Sequence, residues 1–133
     1  MALEILGQPK APLVAGADLS ASTNQFCFVK PDGVNDFSVI LCAAATDVPI
    51  GVLQDTPSLG QAATVESIGI SKVIAGGTIT VGQEVGTDAS GHAVPLTPGT
   101  DTTKFVVGRA LQSAVAGDIF SVFLDCVCPG RAA

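Results

Sequence analysis

Tryptophan and tyrosine are absent from this chain of 133 residues, and histidine occurs once. Without indole or phenol rings, the usual stacking platforms for bases and sugar faces are missing. The usual anchors of tight interfaces are missing with them. Charge is sparse: 14% of residues are charged, against roughly 25% in an ordinary soluble domain. The six basic residues stand singly at Lys10, Lys30, Lys72, Lys104, Arg109 and Arg131. No basic patch forms in the sequence, so nucleic acid is not an expected partner. Long apolar runs are also missing. The longest, Val39 to Ala45, is far short of the roughly 20 residues of a membrane helix, so no membrane association is expected. The opening MALEILGQPK has neither the basic head nor the long apolar centre of a signal peptide, and secretion is not expected.

What is present is apolar. Mean hydropathy is +0.53, while net charge is −6. The length suits one domain, which should bury about two-thirds of its unfolded surface. A core of that size does not hide this much apolar matter, so some is expected to meet another chain. The acidic balance favours solubility and sets the sign of a partner's field.

The periodicity is that of strands. No window of a dozen residues keeps apolar positions at helical spacing without glycine, proline or β-branched interruptions. Short runs divided by Gly, Pro, Asp and Ser predict strands at Gln25–Lys30, Phe37–Cys42, Ile50–Gln54, Ala62–Ser67, Ile70–Ile74, Gln83–Thr87, His92–Leu96, Lys104–Leu111 and Asp118–Cys126. The expected fold is all-β, a small barrel or sandwich over residues 19–128. Residues 1–18, with Pro9 and Pro12, read as an extended N-terminal arm, and 129–133 as a tail. PIGVLQDTPSLGQAATV (49–65) and VVGRALQSAVAGDIFSV (106–122) align at an offset of 57 residues, with glycines at 51 and 108 and again at 60 and 117. This suggests an internal two-fold repeat.

One stretch invites a catalytic reading. VGTDASGHAV (85–94) places Asp88, Ser90 and His92 within five residues. A triad needs a base oriented by a buried carboxylate in a pocket that excludes water. Asp-Ala-Ser-Gly is instead a turn sequence, with the glycine supplying positive φ, and a solvated hairpin tip is expected. The cysteines carry no zinc spacing. Phe120, Val122, Leu124, Cys126 and Cys128 share one face of the last strand, so both thiols are expected to be buried or interface hydrophobes. Cys27 and Cys42 could oppose each other across a hairpin, where a disulfide is an open alternative. The glycine stretches lack the Lys-Ser/Thr of a phosphate loop, and the acids lack calcium-loop spacing. No catalytic, cofactor or metal residue is predicted.

The order of the pieces carries a resemblance. DLSASTNQFCFVKPDG, then DVPIGVLQDTPSLGQAATVESIGISKVIAGGTITVGQEVGTDASGHAV, then FVVGRALQSAVAGDIFSVFL, resembles the capsid cement (head decoration) proteins of tailed bacteriophages over about residues 17–124. The resemblance implies a β-rich structural protein on the outer surface of the virion head, made in the host cytoplasm. It would bind the major capsid protein after shell expansion and bridge its subunits, commonly as a homotrimer. No catalytic residues carry over. Within that reading, Leu3, Ile5, Leu6, Leu13 and Val14 of the arm are the candidate capsid-contact strip. Two rivals stay open: a phage tail- or fibre-associated β module, and a small β-barrel ligand- or carbohydrate-binding domain, which would need a pocket with converging polar groups.

Overall fold

The computed structural model describes residues 13–133 and contains strands and one 3-10 turn, Ser22–Asn24. The strands are β1 (Leu13–Ala15), β2 (Phe28–Pro31), β3 (Ser38–Leu41), β4 (Gly51–Leu53), β5 (Ala62–Ala63), β6 (Val65–Glu66), β7 (Ile68–Ile74), β8 (Glu84–Thr87), β9 (Ala93–Leu96), β10 (Phe105–Val106), β11 (Gly108–Ala110), β12 (Ile119–Asp125) and β13 (Gly130–Arg131). The fold is all-β, as the strand periodicity predicts.

The first sheet runs β5-β1-β3-β2-β4-β6. Its outermost strands, β5 and β6, are separated only by Thr64, so the sheet curls almost onto itself as a small barrel. β1 pairs parallel with β3, and the remaining neighbours are antiparallel. Alternation sends Val29, Val39, Leu53 and Val65 inward, where they pack with Ala15, Leu19 and Ala63. At Gly51 the neighbouring strand comes so close that a Cβ would stand 2.6 Å from the Glu66 carbonyl oxygen, which explains glycine in a strand otherwise apolar.

The second sheet runs β7-β12-β11-β8-β9. A bridge between Ala75 and Ala93 carries the end of β7 round to β9, so this sheet also turns back on itself. β7 and β12 pair over seven residues, from Ile119–Ile74 to Asp125–Ile68. β12 shows the alternation clearly: Phe120, Val122 and Leu124 are buried, Ile119, Phe123 and Asp125 exposed. β10 and β13 form a separate antiparallel pair.

The core of the second sheet does not stop at its own strands. Phe28, Cys42 and Val52, which point outward from the first sheet, belong to one cluster with Val73, Ala75, Val85 and Val122 of the second. Two lobes are thus joined face to face through apolar contact. Burying side chains such as Phe28, Leu53, Ile79 and Leu124 completely stabilises the fold by about 1.5–3 kcal/mol each.

Two boundaries differ from the sequence reading. Leu13–Ala15 fall in the stretch read as an arm, yet they form a strand of the first sheet. The Val14 amide donates to the Phe37 carbonyl and the Ala15 amide to the Gln61 carbonyl, both at 2.8 Å. Three residues immediately after Pro12 are too few to show alternation, and only the tertiary partners make them a strand. At the other end, the tail supplies β13, and Ala132 is buried.

Candidate interaction surfaces

The Asp88 turn is built by backbone capping. Asp88 Oδ1 accepts the amides of Ser90 (2.8 Å) and His92 (2.9 Å), and the Asp88 amide donates to the His92 carbonyl at 2.9 Å. The carboxylate is committed to the turn, and among the described residues no side-chain bond joins Ser90 to His92. The turn prediction holds, and Ala89 and Ser90 are exposed as a solvated tip would be, but the tip is not solvated throughout. Gly91 is buried against the first lobe, where its carbonyl accepts the Phe28 amide at 2.8 Å.

The cysteines are free thiols, and Cys27 and Cys42 are not bonded to each other. Burial pushes the Cys27 thiol up to about 11, and burial pushes those of Cys42 and Cys126 up to about 12. Such thiols are poor nucleophiles. Cys27 Sγ donates to the Thr23 carbonyl at 3.4 Å. Of the two expectations for Cys128, burial fails: it is exposed, because β12 ends at Asp125 and the alternation ends with it. Among the described residues no three His, Cys, Asp or Glu side chains gather as a metal site.

The remaining surface is notable for its bare apolar groups. At the tip between β2 and β3, Val34 is 85% and Phe37 70% exposed. Phe37 adopts φ +56°, a left-handed conformation that side-chain-bearing residues rarely take, so the tip is strained as well as apolar. The tip is shaped by Asp32, whose Oδ1 accepts the amides of Val34 (2.8 Å) and Asn35 (2.9 Å). Those bonds hold its carboxyl below the usual carboxylate range.

A second apolar area lies on the outer face of the second sheet. Phe123 faces outward with Ile70 opposite on β7 and Arg109 opposite on β11. Beside it, Val106, Leu111, Phe123 and Cys128 line an open concavity of about 530 Å³. Arg109 reaches Glu84 Oε1 at 3.5 Å and donates to the Gly82 carbonyl at 3.1 Å.

Of the strip predicted from sequence, Leu3, Ile5 and Leu6 lie outside the described residues. Leu13 and Val14 are half-buried in β1, with Leu13 packed against the first core. Sequence reasoning did not single out Val34, Phe37 or Phe123. The available signals were an aromatic beside a PDGVND turn, and the second face of the β12 alternation.

The family model described as phage cement protein matches residues 20–124. The chain belongs to that family, and it is a phage structural protein, a virion component that associates with the capsid. Among solved structures it is similar to the crystal structure of the head fiber gp8.5 N base in bacteriophage phi29, with a TM-score of 0.68 and 21% identity, covering 90% of this chain and 96% of that one. At that identity the likeness establishes a shared fold. No curated protein matches the chain.

Proposed function

We propose that this protein is a cement that binds the outer surface of a tailed-phage head and bridges neighbouring major capsid protein subunits as a homotrimer, stabilising the expanded shell. Family membership carries the reading. The exposed apolar tip and sheet face support it, being surfaces suited to other protein rather than to a small substrate. Each copy adds contact area across a joint, and separating the subunits must expose that area again. A trimer engages several joints at once, so weak single contacts sum to firm attachment.

The N-terminal segment has a defined root in this reading. β1 fixes Leu13 and Val14 in the barrel, and Leu3, Ile5 and Leu6 are the further capsid contacts proposed. Cosedimentation with expanded heads that lack the protein tests the proposal. Saturation at a copy number matching the symmetry joints of the shell is the expected result; protein that stays in the supernatant at every concentration would refute it.

The likeness to a head-fibre base favours one second reading, a base that seats a fibre on the head. That role predicts a fibre projecting from each head-bound copy on the virion. Electron microscopy of virions distinguishes the two.

A further inference from the structure

The strand pairings of the two lobes share one register. Val52 opposite Glu66 and Leu53 opposite Val65 in the first correspond to Arg109 opposite Phe123 and Ala110 opposite Val122 in the second, 57 positions on in every case. The correspondence extends beyond the segment where the sequences align. Leu13–Ala63 and Val14–Ala62 match Val73–Phe120 and Ile74–Ile119, and the parallel pair Ala15–Val39 matches the parallel bridge Ala75–Ala93. The β2–β3 hairpin, closed by the Asp32 amide on the Ser38 carbonyl, matches the β8–β9 hairpin, closed by the Asp88 amide on the His92 carbonyl.

This equivalence identifies two surfaces that lack a counterpart within one copy. In the first lobe, Phe28, Val52 and Glu66 form a row across three strands, and all three are buried. The Asp88–His92 hairpin tip of the second lobe meets the Phe28 end of that row through Gly91, whose carbonyl accepts the Phe28 amide at 2.8 Å. In the second lobe the same row is Glu84, Arg109 and Phe123. Among the described residues two of its three members stay uncovered, Phe123 at 54% exposed and the Arg109 side chain at 64%, while Glu84 is partly buried beside Arg109. The equivalent of the Gly91 tip is the first lobe's own hairpin tip, where Phe37 takes Gly91's place with the same sign of φ, +56° against +80°. That tip is bare too.

We propose that the two lobes are copies of one unit, and that successive protein copies repeat the contact between lobes, the Val34–Phe37 tip of one seating on the Glu84–Arg109–Phe123 row of the next. The occupant of the bare face is therefore a second copy of this chain, joined head to tail. Charge agrees: exposed Asp36 next to Phe37 approaches a row whose most exposed charge is Arg109. The concavity beside Phe123 offers apolar room for Phe37 or Val34. A head-to-tail contact closes into a ring when its rotation permits and otherwise runs on as a filament. The inference deepens the self-association proposed above and rests on it.

The test uses the full chain and two variants at exposed positions, Phe37→Asn and Phe123→Ser. Asn tolerates positive φ, so the first leaves the tip's backbone at ease. Molar mass is read by light scattering and sedimentation, with thermal melts to confirm folding. The wild type should form a closed oligomer, and each variant should weaken association at least about 30-fold, the size of a hot-spot loss. Mixing the two variants should yield a dimer and nothing larger, because only one intact tip can meet one intact row. An oligomer that survives either substitution, or a mixture that stays monomeric, overturns the proposal. A monomeric wild type also overturns it and makes the chain's own first twelve residues the candidate cover for the row. Capsid cosedimentation of the same samples keeps the readings apart: a monomer that saturates heads sinks this inference and leaves the attachment to heads standing.

Discussion

Gly91 and Phe28, more than sixty positions apart, meet backbone to backbone. The Gly91 carbonyl accepts the Phe28 amide at 2.8 Å, and a Cβ on Gly91 would lie 3.1 Å from the Phe28 carbonyl oxygen and 3.3 Å from Cys27 Cβ. Gly91 also has φ +80°. A side chain here is opposed twice, by its own backbone and by the facing lobe. Gly91→Ala should cost about 1–3 kcal/mol. The same change at Gly33, which has φ +79° but open space around it, should cost about 1 kcal/mol. Denaturant melts of the two variants check the difference.

Neighbouring positions on β12 should respond in opposite ways. Leu124 is fully buried, and Leu124→Ala should destabilise by about 2–5 kcal/mol. Phe123, more than half exposed, should tolerate Phe123→Ala within about 1 kcal/mol when melted at concentrations where copies do not associate. Equal losses at both positions would contradict the placement of the core.

Asp47 fastens the loop between β3 and β4. Its Oδ2 takes Lys30 Nζ at 2.8 Å and the amides of Ala43 (2.8 Å) and Ala44 (3.0 Å). The Lys30 hydrogen bond first, and then those amides, hold its carboxyl below the ordinary 3.8. Asp47→Ala should cost about 1–2 kcal/mol through the lost backbone bonds. With the folded-state value depressed, the contribution is complete above the unfolded value near 3.8 and fades as pH falls below it. Melts from pH 6 down to pH 2 should show wild type and variant converging.

The thiols govern the alkaline side. Raised folded values mean that the native state keeps protons which the unfolded chain gives up near 9.0. Stability should therefore fall as pH climbs above about 9, and continue falling until the buried thiols ionise between about 11 and 12. At pH 8 only the exposed Cys128 should react quickly with iodoacetamide, and all four thiols should react in denaturant. Intact mass spectrometry counts the adducts.

Much of this was legible in the chain. β12 announces itself through Phe120, Val122 and Leu124, and the Asp88 turn through Asp-Ala-Ser-Gly. β1 was hidden, because Leu13–Ala15 become a strand only when β3 and β5 hydrogen-bond to them. Of the breaks that split two expected strands, Thr64 lies where the first sheet curls and Val107 where the chain changes partner from β13 to β12, and neither leaves a local mark. The Gly91–Phe28 contact was equally silent, since a turn reads the same whether it meets water or another lobe. The surface was the hardest to read. Phe123 and Phe120 are the same residue type three positions apart, and alternation puts them on opposite faces without saying what the bare one meets.

Thr64 has one more consequence. By making the two edges of the first sheet successive pieces of one strand, it leaves edges of only two residues each, β5 and β6. Long unpaired edges are templates for indiscriminate strand addition and aggregation. The apolar surface this protein carries is thus offered through side chains at a tip and on a face, where shape selects the partner. Little of it is offered through backbone, where nearly any chain would serve.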